Sequence, residues 1–150
     1  MKLVVILSLV LFVAGIQGCA SINASIEENA LAKQFNTSKD SSYVYVYRPS
    51  HGMIGASVEP NILINGRIIG PIGSSEFIMV NLKPGTYQLS AQANNVLFPS
   101  KLLFSVKKGE NMFIKIDWLS ASKTFIIADR DEAIKTIKAL TLVKSNDYIQ

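Results

Sequence analysis

The chain has 150 residues, with 49% hydrophobic and 17% charged side chains and a formal net charge of +4. This length allows one folded domain with a single core and excludes a large multidomain architecture. The basic excess lies in residues 101–150, because residues 19–100 carry five basic and five acidic side chains. So mild a bias fits a solvated surface or contact with anionic lipid headgroups, and does not by itself indicate a partner.

Residues 1–18 have the layout of a secretory signal peptide. Lys2 precedes the apolar run Leu3–Ile16, and a charged start followed by an apolar segment is typical of such signals. As a helix this run would span roughly 21 Å, whereas a hydrocarbon core is about 30 Å thick. A short transmembrane anchor is the alternative, and the length favours a signal peptide.

Cys19 is the only cysteine and directly follows Ile16-Gln17-Gly18. This arrangement resembles the bacterial lipobox, in which an aliphatic residue, a tolerant position and a small residue precede an invariant cysteine. The lipobox sulfur is the nucleophile that takes a diacylglyceryl group before cleavage. A thiol near an ordinary cleavage site, for instance after Ala20, is the alternative. One cysteine cannot form an intrachain disulfide. The lipobox resemblance accounts for the position of Cys19, the leader before it and the lack of a second cysteine together, so we expect lipidation of Cys19.

Acyl chains such as palmitate on Cys19 would anchor the protein stably, because each buried CH₂ adds about 0.8 kcal/mol and two or three chains act together. Ala20 follows the cysteine. An Asp at that position resembles an inner-membrane retention signal in Gram-negative lipoproteins. Its absence predicts the outer membrane of the cell envelope, facing the periplasm, if the source is Gram-negative.

Residues 19–42 are predicted to be a lipidated tether with one short helix. Ser25 and Glu28 fit a capping box, in which the hydroxyl accepts a free backbone N–H and the carboxylate reaches back to the cap residue. Ala30, Leu31 and Phe35 would form a small apolar stripe.

From Tyr43 the pattern changes to the period of two that is typical of strands. Tyr43–Arg48 is the first strand, and Asn65-Gly66 between apolar runs predicts a hairpin with a type I′ turn. Leu102–Val106 is predicted to pair with Met112–Trp118 across a turn. The remaining predicted strands are Glu76–Leu82, Thr86–Ala93 and Thr124–Ala128.

Asp129 and Glu132 predict the start of a C-terminal helix whose Ala133, Ile137 and Leu140 share a face. Residues 43–143 then form the domain, and residues 144–150 are expected to fray. Short strands with closely spaced turns indicate a mainly β fold, an antiparallel sandwich in preference to a barrel.

The order of these elements along the chain is itself informative. A lipobox, a helix ending in AKQF, the segment YVYVYRPS, the hairpin ILINGRIIG and the turn VNLKPGTYQLSA follow one another. The chain resembles the bacterial lipoprotein family catalogued as domain of unknown function 2846, most closely over residues 30–93. The resemblance implies an envelope lipoprotein with an immunoglobulin-like or transthyretin-like β-sandwich. It transfers no catalytic residue.

No pattern indicates catalysis, a metal or a cofactor. His51 is the only histidine, and a catalytic or zinc site would need further groups beside it. The acids within 129–132 are expected to cap a helix and not to bind a cation. The glycines within 66–73 belong to a hairpin, whereas a dinucleotide fingerprint opens a helix.

Tyr43, Tyr45 and Tyr47 lie on one face of the first predicted strand. Either these rings pack over the core and keep their hydroxyls at its edge, or an open face contacts a partner. The partner would be an envelope glycan, such as peptidoglycan or lipopolysaccharide, or an envelope protein.

We therefore expect a membrane-anchored lipoprotein that acts as a non-catalytic binding or structural module of the cell envelope. The membrane is its partner through lipid on Cys19, and nucleic acid is not expected there. The alternative is an envelope hydrolase with a cleft around His51, or a lipid-anchored inhibitor of one that uses the loop Ser50–Pro60.

Overall fold

The computed structural model describes residues 21–53, 56–93, 96–117 and 124–146. This part of the chain is mainly β, with two sheets and two helices. Cys19 and the leader lie outside it. The elements are α1 (Ile26–Ala32), β1 (Ser42–Arg48), β2 (Asn61–Ile64), β3 (Arg67–Pro71), β4 (Glu76–Leu82), β5 (Gly85–Ala93), β6 (Val96–Leu97), β7 (Leu102–Val106), β8 (Met112–Ile116), β9 (Phe125–Ile127), α2 (Arg130–Ile137) and β10 (Thr141–Leu142).

The first sheet has five strands in the order β10-β4-β1-β8-β9. β1 is antiparallel to β4 and parallel to β8, so that Tyr45 lies between Met79 and Phe113. β10 also runs parallel to β4. The prediction of a purely antiparallel sandwich is therefore wrong for this sheet. Parallel neighbours need a long crossover, and between β1 and β8 the chain builds the whole second sheet.

The second sheet has the order β3-β2-β5-β6, and β7 pairs with the first half of β5. The predicted hairpin between β2 and β3 is confirmed, because Asn65 and Gly66 both adopt positive φ (50° and 79°). The predicted pairing of Leu102–Val106 with Met112–Trp118 is wrong. β7 lies in the second sheet and β8 in the first, so the chain crosses between sheets at residues 107–111. Trp118 lies outside the described residues.

The inward faces of the two sheets share one hydrophobic core. β1 contributes Val44 and Val46, β5 contributes Leu89, and β8 contributes Ile114 and Ile116, all buried. Period-two alternation brings these side chains to one face of each strand, which gives a sandwich-like pairing of the sheets. Apolar burial of this kind stabilises by roughly 25 cal/mol per Å².

The outer face of the first sheet is also buried, beneath both helices. Tyr45, Tyr47, Phe77 and Phe113 pack there against the two helices and the residues that follow them. The rings of Tyr45 and Phe113 stack with centroids 5.1 Å apart. The central strand β1 is consequently buried on both faces. The other members of this second cluster are Ala32, Phe35, Ala133, Ile137, Leu140 and Leu142.

Both predicted helix starts are confirmed. Ser25 accepts from the Glu28 N–H while Glu28 accepts from the Ser25 N–H, so the capping box is complete. Asp129 accepts from two N–H groups of α2. The predicted apolar stripe of α1 differs in detail, because Ala32 and Phe35 are buried whereas Leu31 is 61% exposed.

Residues 21–42, within the predicted tether, pack against the domain. The Ala24 N–H donates to the Leu142 carbonyl and the Lys144 N–H donates to the Ile22 carbonyl. The Asn146 N–H donates to the Ile69 carbonyl at 2.7 Å. Residues 144–146, which were expected to fray, are thus bonded to the fold, and residues 147–150 lie outside the described part.

None of the helices in the described residues is long and apolar enough to cross a membrane.

Candidate functional site

An open groove lies between α1 and the outer face of the first sheet. Its floor is formed by Tyr43 and Tyr45 of β1 and by Met79, which lies opposite Tyr45 on β4. Alternation along β1 directs all its tyrosines to this face. Tyr45 is fully buried, whereas Tyr43 is half-buried and reaches the groove's surface.

The first wall of the groove is α1. Its buried Ala32 and exposed Leu31 line the groove, and Asn36 follows at one end. Beyond the C-cap Lys33, Phe35 adopts a positive φ of 54° and its ring joins the aromatic cluster of the sheet. The Asn111 side chain donates to the carbonyls of Phe35 and Asn36 at 2.9 and 3.2 Å. Two sets of contacts therefore fix the position of this wall: the Phe35 ring packs against Tyr45 of the sheet, and Asn111 binds from the loop before β8.

The second wall is the segment 142–145, which runs along the edge of β4. The Val143 N–H donates to the Phe77 carbonyl, and the Ser145 hydroxyl donates to the Met79 carbonyl. Across the groove, the Asn29 side chain accepts from the Leu142 N–H at 3.1 Å. This hydrogen bond joins α1 to the segment 142–145, which are the two walls of the groove.

The groove has a volume of about 590 Å³, within the range typical of small-ligand and side-chain pockets. Most of its lining is apolar, and Glu28 and Lys144 add one exposed charge of each sign. Such a surface can hold an apolar group and orient it by two charged contacts. The lining residues are Ala24, Glu28, Leu31, Ala32, Asn36, Tyr43, Tyr45, Met79, Leu142, Val143, Lys144 and Ser145.

The three tyrosines predicted as partner contacts have different places. Tyr45 and Tyr47 are each 1% exposed beneath the helices, which leaves Tyr43 as the one that a partner can reach. Burial raises the pKa of both Tyr45 and Tyr47 to about 12. The Tyr45 hydroxyl donates to the Ala32 carbonyl, whereas the Tyr47 hydroxyl has no hydrogen-bond partner among the described residues.

His51 lies in the loop after β1, away from the groove lining. Its Nε2 atom is buried without a hydrogen-bond partner among the described residues. In the same part of the chain, no group of three His, Cys, Asp or Glu side chains is placed to hold a metal ion.

A buried polar cluster at the end of β1 was not predicted. Arg48 is 2% exposed and its Nη1 donates to the carbonyls of Val58 and Ile72 at 2.5 and 3.3 Å. Burial lowers the pKa of its guanidinium, and the nearby Glu76 and Glu59 carboxylates oppose that shift. The sequence does contain a signal for this cluster: the charged Arg48 ends an otherwise apolar and aromatic strand, directly before Pro49.

The same carboxylates hold the start of the described chain. The Ser21 hydroxyl donates to Glu76 at 3.0 Å, and the Ser21 N–H donates to Glu59 at 3.3 Å. Glu76 also accepts from the Gly73 N–H at 2.6 Å. Ser21 is therefore fixed at the end of the sandwich where β1 ends and β4 begins.

A family model described as "Protein of unknown function (DUF2846)" matches residues 38–128. This range includes strands β1 to β9 and the floor of the groove, whereas both walls lie outside it. None of the curated proteins matches the chain. The match covers more than half of the 150 residues, and it agrees with the resemblance carried by the YVYVYR strand, the Asn65-Gly66 hairpin and the PGTY turn. The chain belongs to the DUF2846 family.

Proposed function

We propose that this protein is an envelope lipoprotein whose domain acts as a non-catalytic binding module. Acyl chains on Cys19 would hold it at the membrane after removal of the signal peptide 1–18, and the outer membrane is its place if the source is Gram-negative. Confinement to a membrane raises the local concentration of a binding module near its partners. We further propose that the two sheets form an immunoglobulin-like or transthyretin-like sandwich, with the helices added on one face.

The anchor is supported by the leader and by the position of Cys19 behind Ile16-Gln17-Gly18. Its test is the intact mass of the membrane-extracted protein beside a Cys19→Ser variant. The expected mass is that of residues 19–150 plus acyl chains, and the variant should lack them. An unmodified protein that starts at another residue would overturn the anchor.

The groove beside α1 is the observation that supports a binding role. We propose that it takes an apolar side chain from an extended segment of an envelope protein. Leu31, Met79 and Leu142 supply apolar contact, and Glu28 and Lys144 can pair with charges that flank the bound side chain. The mostly apolar lining favours an apolar side chain over a glycan. Tyr43 is the ring on which a sugar could stack, because the Tyr45 ring is covered and its hydroxyl is already bonded.

A photo-crosslinking residue at Asn36, on the groove's rim, tests this role in intact cells. We expect a protein adduct that is lost when Leu31→Glu puts a charge into the groove. Leu103→Glu is the matched control, because Leu103 is 68% exposed on β7 of the other sheet. Adducts that survive Leu31→Glu would overturn the proposal, and glycan adducts would replace the protein ligand by a polysaccharide.

A further inference from the structure

We infer that the end of the sandwich that carries Ser21 lies directly against the lipid bilayer, with Ile22, Ile26 and Met53 in contact with it. This inference rests on the proposed acylation of Cys19. It adds a defined orientation and a second, protein-borne membrane contact, neither of which a flexible tether would provide. The Ser21 end is the end formed by Ser21, the last residue of β1 and the first residue of β4.

The connection between the anchor and this end is short and fixed. Ser21 donates to both Glu59 and Glu76, and Glu76 begins β4. The next residues, Ile22–Ala24, are bonded to residues 142–144, with Asn23 and Val143 forming a bridge. The domain therefore holds the chain from Ser21 onward. Only the residues between the proposed anchor and Ser21 separate the domain from the membrane.

Cys19 precedes Ser21 by two residues. Two residues of fully extended chain span at most about 7 Å. Acyl chains on Cys19 enter the bilayer from the headgroup level, so the Ser21 end is held at or near that level. A domain several times larger than this reach cannot turn its opposite end toward the same membrane.

The Ser21 end carries exposed apolar side chains that suit this position. Ile22, Ile26 and Met53 are 68%, 85% and 95% exposed. Ile22 directly follows Ser21, Ile26 begins α1, and Met53 lies in the loop between β1 and β2 at the same end. Large exposed apolar groups mark contact surfaces, and lipid is the apolar phase that the anchor would bring to the end that carries these three.

The opposite end differs in chemistry. Its loops, next to Ser42 and Gly85, carry Lys39, Lys83 and the pair Lys107–Lys108 against Asp40 and Glu110, which leaves an excess of positive charge. Attraction to anionic headgroups alone would turn this basic end toward the membrane. The short connection to Cys19 requires the reverse orientation, so the two possibilities give opposite results in one experiment.

The test uses the acylated protein, residues 19–150, in phosphatidylethanolamine and phosphatidylglycerol vesicles whose headgroups carry a nitroxide quencher. Cys19 is the single cysteine, so after acylation a newly introduced cysteine is the only thiol to label. Met53→Cys and Ile26→Cys report on the Ser21 end, Lys108→Cys on the opposite end and Leu103→Cys on the flank. We expect strong quenching of a fluorophore at the first two positions and weak quenching at the others.

Inserting about ten Gly and Ser residues before Ser21 provides the matched control, because such a linker has a root-mean-square span of roughly 17 Å. Acylation should persist, and quenching at Met53→Cys should fall but stay above that at Leu103→Cys, because the exposed apolar side chains still favour contact with the bilayer. A fall to the level of Leu103→Cys would overturn the protein-borne contact. Undiminished quenching at Met53→Cys would show that the short connection to Cys19 is not what holds the Ser21 end at the membrane. An acylated protein with equal quenching at both ends, or with more at Lys108→Cys, overturns the orientation alone. Absence of acyl mass overturns the proposed anchor and this inference with it.

Discussion

The Tyr45 hydroxyl donates a hydrogen bond to the Ala32 carbonyl at 3.1 Å, and this bond joins β1 to the last residue of α1. Helix ends leave carbonyls without partners inside the helix, and here the buried Tyr45 hydroxyl and the Phe35 N–H both donate to one of them. Two residues along the same strand, the Tyr47 hydroxyl is equally buried and has no partner among the described residues.

Removing the two hydroxyls should therefore have opposite consequences. Tyr45→Phe should lower the free energy of unfolding by about 0.5 to 1.5 kcal/mol, because the Ala32 carbonyl loses one of its two donors and keeps the Phe35 N–H at 3.3 Å. Tyr47→Phe should be neutral or stabilising, since it removes a polar group that is buried without a hydrogen bond. Urea unfolding of both variants checks this, and equal losses of stability would contradict it.

The same residues predict a loss of stability at alkaline pH. Burial raises the pKa of Tyr45 and Tyr47 from 10.0 to about 12; Tyr43 adds to the shift of Tyr45 and Arg130 opposes it, while Glu132 adds to that of Tyr47. A pKa that is higher in the folded state stabilises fully below the unfolded value and is lost as pH rises through the folded value.

The stabilising contribution of these two groups should therefore be complete below pH 10 and disappear between pH 10 and 12. Unfolding free energies measured across that interval should fall with pH. The fall should be shallower in the double variant Tyr45→Phe, Tyr47→Phe, which has no phenol at either position. An identical slope in the double variant would show that other groups cause the loss.

Gly66 in the β2–β3 turn should resist replacement although space surrounds it. Its φ is +79°, and a Cβ at this position meets nothing within 4 Å. Gly66→Ala should nevertheless cost about 1 to 2 kcal/mol, because an L residue is strained in the left-handed region. Gly85→Ala is the control, since a Cβ there makes only ordinary contact with the Tyr87 ring. Equal unfolding free energies for the two variants would count against the type I′ turn.

Arg48 should be the most sensitive charged residue of the domain. Arg48→Ala removes a buried guanidinium from the carbonyls of Val58 and Ile72 and leaves the neighbouring Glu76 without its cation. Breaking a buried charged cluster from one side costs about 3 to 5 kcal/mol. Lys101→Ala, at an exposed position, should change stability by less than about 0.5 kcal/mol. Thermal and urea unfolding measure both losses, and equal unfolding free energies for the two variants would contradict the prediction.

Local chemistry in the sequence predicted the local elements well. The Ser25–Glu28 capping box, the Asp129 cap and the Asn65-Gly66 turn each depend on residues within a few positions of one another. Their side chains and backbone preferences decide the structure without help from distant parts of the chain. The family was likewise recognisable from a short series of such motifs.

Partner choice between strands could not be predicted in the same way. Alternation in β8 indicates which residues share a face, but a strand buried on both faces can pair with any neighbour of matching length. β8 pairs with β1, far away in sequence, and not with the adjacent β7. The contact between Ile22–Ala24, within the predicted tether, and the segment 142–144 was missed for a related reason, because these two segments are far apart in sequence. The groove depends on the pairing of β8 with β1 and on that of Ile22–Ala24 with residues 142–144, so no local sequence pattern predicted it.

The pairing of Ile22–Ala24 with residues 142–144 also imposes an order of events on a chain that is synthesised from its N-terminus. The segment that follows the proposed anchor emerges first among the described residues, and its partner emerges nearly last. Closing so long a loop carries a large entropic cost that is recovered only once the rest of the fold is in place. Fixation of Ile22–Ala24 thus requires a completed domain, so a chain shortened before β10 would leave these residues without their partner segment and the groove without its second wall.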